Sequence, residues 1–171
     1  MLAYPNPVNE NVSRVVAAGV AALTIAALLT GWHLLIAVIA LGFLARTVAD
    51  VRLSLLGRMA VKLAPRLGPP RFVPGPIQRF AQGLGFVLTT VAAFASLVLD
   101  RPIVAVSLMA VVLVLALMES VIGICAACEL FSVMIRQGWV PDRTREACQQ
   151  VWLRYGARHS LARQDQVIRF R

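Results

Sequence analysis

Apolar residues dominate four long stretches of this chain, and charges are confined almost entirely to the gaps. Between Arg14 and Arg46 lie 31 residues with no formal charge. As one helix that run would measure about 46 Å, too long for a hydrocarbon core of about 30 Å. The sequence TGWH (Thr30–His33) interrupts it near the middle. The run therefore predicts two tilted or short helices, about 13–30 and 32–48, joined by a tight turn. A third apolar run predicts a helix over about 80–99. Asp100, Arg101 and Pro102 then make a turn, and a fourth helix is expected over about 103–124, with Ser107, Glu119 and Ser120 as its polar positions. The predicted fold is an all-α membrane protein, a four-transmembrane-helix bundle of two hairpins.

The segment between the hairpins has a different pattern. Arg58, Lys62 and Arg66 recur at steps of four, while Leu53, Leu56, Ala60, Leu63 and Leu67 fall on another side. That spacing predicts an amphipathic helix over about 51–67 lying in the membrane interface. Arg52, Arg58, Lys62 and Arg66 are its membrane-surface residues. The stretch GPPRFVPGP follows, and its prolines predict a stiff return to the third helix. Beyond Gly138, Pro141 and Asp142 mark a new helix start. Cys148, Val151, Trp152 and Tyr155 share one of its faces. The chain divides into a transmembrane domain, 1–137, and a basic helical tail, 138–171. Small residues repeat at four-residue steps on helix one (Ala18, Ala22, Ala26) and helix three (Gly85, Thr89, Ala93), as packing seams.

Charge then orients the pattern. The chain is 59% hydrophobic with a formal charge of +9, and Lys62 is its one lysine. With four spans, sixteen basic residues lie on the face that holds both termini and the middle segment, and Arg101 alone lies on the other. The positive-inside rule makes the sixteen cytoplasmic. No cleavage site follows the N-terminal residues, so the first run is expected to be a retained anchor. A basic tail beside a membrane predicts anionic lipid headgroups as the partner rather than nucleic acid.

Four motifs, VNENVSRV, GFLAR, VPGPIQRFAQGLG and ESVIGICAACEL, occur in that order. Over about residues 5–130 the chain resembles the bacterial membrane family catalogued as domain of unknown function 4395. The resemblance implies a small multi-span protein of the bacterial cytoplasmic membrane with a cysteine pair, and it implies no activity.

The candidate chemistry lies at the end of the fourth helix. Cys125 and Cys128 form a C-x-x-C pair at the expected cytoplasmic edge. That compartment is reducing, which argues against a permanent structural disulfide. A helix continuous from Ile103 to Gln137 would be about 52 Å long, so a hinge is expected, with Gly123 as its place. A break there would put Cys125 at a helix N-terminus, where a thiolate is stabilised. Glu119 lies at the same depth as Arg46, which predicts an ion pair facing the bundle interior, with Arg14 and Gln82 as other partners. His33 reads as an interfacial turn residue. Cys125, Cys128, Cys148 and His159 match no zinc spacing, so neither metal nor cofactor is expected. Three readings remain: a non-enzymatic accessory or scaffold subunit; a thiol–disulfide or sulfur-relay protein working with a thioredoxin-like or sulfurtransferase partner; and a small-solute transporter.

Overall fold

The structure is a computed structural model and describes residues 6–48, 54–151 and 153–154. Strand β1 (Val8–Asn9) leads into α1 (Glu10–Thr30) and α2 (His33–Val48). Helix α3 (Leu55–Leu63) ends in a 3-10 turn at Ala64–Leu67, and β2 (Phe72–Val73) follows. Then come α4 (Gly75–Leu97), α5 (Pro102–Leu117), a π-helical turn at Met118–Ile122, α6 (Ala126–Arg136) and α7 (Asp142–Val151). Glu10–Thr30, Gly75–Leu97 and Pro102–Ile122 are long and apolar enough to cross a membrane. Helix α2 is apolar but has 16 residues, about 24 Å at the usual rise. Arg52, the start of the predicted 51–67 helix, Trp152, Tyr155 and His159 lie outside the described residues.

Capping explains where the helices begin. The Asn9 side chain accepts the Asn11 N–H at 3.0 Å, so α1 starts at Glu10, about one turn before the apolar pattern does. It ends at Gly31, whose φ of +63° is the left-handed conformation that glycine adopts without steric cost. Helix α4 starts five residues before Phe80. The prolines of PGP occupy its approach and first turn, where their fixed φ and missing N–H suit a helix start. The last two residues of the stiff return, Gly75 and Pro76, are therefore already helix. The short antiparallel ladder, Val8 opposite Val73 and Asn9 opposite Phe72, ties the start of α1 to the start of α4.

Helix α1 packs beside α2 and α5, and α4 beside α2 and α5. At the α2–α4 contact a Cβ on Gly85 would lie 2.4 Å from the Phe43 ring, so only glycine admits that approach. Thr89 and Ala93 are buried below it on the same side of α4. On α1 the predicted seam is misplaced. Ala18 and Ala22 are exposed, and the buried stripe is Val16, Ala17, Val20, Ala21, Thr24 and Ala27. A repeat of four small residues gives a helix side but not which side meets its neighbours.

Helix α3 divides the apolar side that its sequence suggested. Ser54 caps it, accepting the Gly57 N–H at 2.9 Å. Gly57, Ala60 and Ala64 are buried, and Leu56 packs against Gly19 of α1. Leu55, Met59, Leu63 and Leu67 are left exposed beside Arg58, Lys62 and Arg66. The small residues make the protein contact because they allow close approach. Helix α7 docks through Cys148, which lies in a small apolar cluster with Ile77 of α4 and Phe131 of α6. Burial pushes the Cys148 thiol above its ordinary range.

Candidate functional site

Apart from Thr24 and Thr89, which lie farther along α1 and α4, the polar side chains buried inside the bundle gather at one end, where α1 and α4 begin and α2 and α5 finish. Ser13 on α1 is the hub. Its hydroxyl donates to Glu119 and accepts from the Gln78 amide of α4. A half-buried carboxyl is thus held by a hydroxyl that an amide in turn orients. Arg46, 2% exposed, donates from Nε to Gln82 Oε1 at 2.9 Å. Its guanidinium also lies 4.7 Å from the centre of the Phe43 ring.

The direct Glu119–Arg46 ion pair expected from their common depth is not made among the described residues. Arg46 is turned toward α4 and Glu119 toward α1, although the two remain within electrostatic range. Depth along a helix fixes height but not azimuth. Of the other expected partners, Gln82 engages Arg46. Arg14 is engaged elsewhere, donating to the backbone carbonyls of Ser120 at 3.3 Å and Val121 at 3.1 Å.

Ser13 and Gln78 were not among the residues singled out in the sequence. Starting the third helix at 80 placed Gln78 in a loop, and Ser13 looked like the boundary of an apolar run. Their signal was available: each is a polar residue on the inner side of a helix whose other inner positions are mostly small or apolar.

Below Glu119 the helix changes. Met118–Ile122 winds as a π-turn, with Gly123 N–H donating to Met118 O at 3.1 Å. Gly123 takes φ +79°, which ends the helix. The backbone is extended at Cys125, and α6 begins at the next residue. Cys125 is therefore the N-cap: its sulfur accepts the Cys128 N–H at 3.3 Å, and its carbonyl accepts from Cys128 and Glu129. Cys125 and Cys128 are joined by a disulfide, their Cα atoms 5.1 Å apart, within the usual bridging range. Both are half-buried.

Cys125 and Glu119 open onto the same crevice. Ser13 and Gln82 complete its polar wall, and Val16, Phe43, Leu88 and Val112 line its apolar side. Its volume is about 60 Å³, room for a few waters. The chemistry available is that of a dithiol–disulfide pair at a helix N-terminus, with a carboxyl and a hydroxyl nearby. Among the described residues no group of three or more His, Cys, Asp or Glu side chains is placed to hold a metal ion. His33 is the exposed first residue of α2, at the far end.

No curated protein and no solved structure matches the chain. One family model does, over residues 8–136. That range takes in the ladder, the helices from α1 to α6, the Ser13–Glu119 contact and the cysteine pair. The chain belongs to the family described as domain of unknown function (DUF4395).

Proposed function

We propose that this protein is a membrane thiol–disulfide relay in which Cys125 and Cys128 exchange electrons with a cytoplasmic, thioredoxin-like dithiol partner. The observation that carries the reading is Cys125 as N-cap of α6, disulfide-bonded to Cys128 after a left-handed glycine. A cysteine within an unbroken helix would face backbone N–H groups already bonded. At a helix N-terminus the free N–H groups and the helix dipole favour the thiolate.

The exchange balances as follows. A partner thiolate attacks one sulfur of the pair, and a mixed disulfide forms as the Cys125–Cys128 bond breaks. The partner's second thiol then displaces the chain. The partner leaves oxidised, and two electrons and two protons remain as the Cys125 and Cys128 thiols.

In this reading α1, α2, α4 and α5 all cross the bilayer. The sixteen-to-one distribution of basic residues supports cytoplasmic termini in a bacterial inner membrane. The exposed apolar ridge of α3, flanked by Lys62 and Arg66, then rests among anionic headgroups. Sulfur relay from a sulfurtransferase would use the same pair. The accessory-subunit reading keeps the same helices without the exchange. A transport reading has only Glu119 and the crevice behind it.

The test uses the full chain in lipid nanodiscs with a reduced thioredoxin-class protein. Maleimide labelling should count two additional thiols per chain after mixing, and none in C125S or C128S. If the wild-type protein gains no thiols, the relay is rejected in favour of the accessory role.

A further inference from the structure

We infer that Arg14 is a positioning residue for the Cys125–Cys128 pair: it holds the broken end of the fourth helix so that Cys125 meets the open N-terminus of α6. The inference rests on the relay reading and concerns how the pair is kept reactive.

The geometry comes from α1. Ser13 and Arg14 are consecutive, and together they grip the π-turn. Ser13 takes the Glu119 carboxyl, and Arg14 takes the next two backbone carbonyls, Ser120 O and Val121 O. The last carbonyls of a helix lack intrahelical partners, and a cation there is favoured by the helix dipole. The same guanidinium lies against Gly123, where a Cβ would come within 3.4 Å of its Cζ. Glycine at 123 thus supplies the left-handed φ, with Arg14 at van der Waals distance beside it. The Arg14 Nε is buried with no hydrogen-bond partner among the described residues. That is a cost, and it is consistent with a side chain placed for the two bonds of its terminal Nη2 rather than for full satisfaction.

The consequence reaches the sulfurs through the backbone. While the two carbonyls are held, the chain must leave the helix at Gly123 and restart two residues later at Cys125. If they are released, the Ser13–Glu119 contact is what remains on the α1 side to oppose an ordinary α-helical continuation through 123–125. The Cys125 sulfur would then lose its free N–H groups. A positive charge beside the turn would be lost as well.

The experiment compares wild type, R14K and R14Q, each full length in nanodiscs of one lipid composition. Two quantities are read: the equilibrium of the pair with glutathione, and the alkylation rate of the reduced pair at pH 7. R14Q is expected to shift the equilibrium toward the disulfide, and to slow alkylation, by about three- to tenfold. R14K, which keeps the charge and one donor direction, should stay within about twofold of wild type. If R14Q does not accumulate, G123A replaces it, because alanine is strained at the left-handed φ of the break that Arg14 holds, and a shift in the same direction is expected. A wild-type pair that exchanges, with R14Q or G123A exchanging identically, overturns this inference alone. A wild-type pair that never exchanges overturns the relay, and this inference with it.

Discussion

The two ends of the bundle are built on different principles. At one end, two tight turns join apolar helices: Gly31 closes α1, and Asp100, with φ +49°, precedes α5. Leu29, Trp32, Val98 and Ile103 are largely exposed there, as suits side chains that meet lipid. At the other end the backbone departs from regular helix at the π-turn, at Gly123 and in the short ladder. Buried polar side chains sit there too: Ser13, Gln78, Arg46 and Gln82. Irregular backbone and buried polar groups are costly in an apolar surrounding unless satisfied. Where both are concentrated and bonded to one another, stability alone is a poor explanation, and the cysteine pair lies among them.

The sharpest contrast is between two left-handed glycines. G123A should cost about 1–2 kcal/mol from the backbone. It should also impair exchange of the cysteine pair. G31A bears a similar backbone cost but has open space around the new Cβ. It should lower the melting temperature in detergent and leave exchange with glutathione unchanged. Equal loss of exchange in both variants would erase the distinction between the ends.

A packing variant gives the next effect. G85A places a methyl 2.4 Å from Phe43 and should destabilise by about 1–3 kcal/mol through overpacking. The paired variant F43L should recover part of that loss if the α2–α4 contact is the cause.

Ser13→Ala removes the group that bridges Glu119 and Gln78, and should cost about 1–3 kcal/mol. Adding E119Q in the same chain should cost less than the sum of the two single changes. Strict additivity in thermal unfolding would show that the contact carries no energy.

The smallest effect concerns Cys148. Its thiol is raised by burial, so the folded state favours the protonated form. Its contribution to α7 docking is complete below the ordinary thiol range and fades as pH rises through the raised value. In the reduced protein at pH 8, labelling should show one thiol slower than the pair, and dodecyl sulfate should remove that lag. Three equal rates would mean that α7 does not cover it.

How much of this could be read from the sequence differs by residue. The long apolar helices followed from charge-free runs and turn residues, because membrane thickness limits their length. Gly123 could be named as a place for a break by the same arithmetic. What holds the break could not, because Arg14 is more than a hundred residues away and its partners are backbone carbonyls. Arg46 and Glu119 illustrate the same limit. Their depths were computable and their directions were not, since a helix side chain's azimuth is decided by packing of the neighbours. The apolar side read for α3 is divided, Leu56 and Ala60 meeting protein and Leu63 and Leu67 left exposed, because hydrophobicity marks an apolar side without saying whether protein or lipid covers it.

The most direct measurement of the central claim is the redox state of the pair in living cells. Cells are quenched in acid, thiols are alkylated, and the Cys125–Cys128 peptide is read by mass spectrometry before and after a brief diamide pulse. The relay account expects the pair to shift to the disulfide during the pulse and to return to dithiol within minutes afterwards, in wild type but not when the thioredoxin system is inhibited. A pair that stays dithiol throughout the pulse, or stays disulfide after it, contradicts the account and leaves the cysteines as packed structural residues.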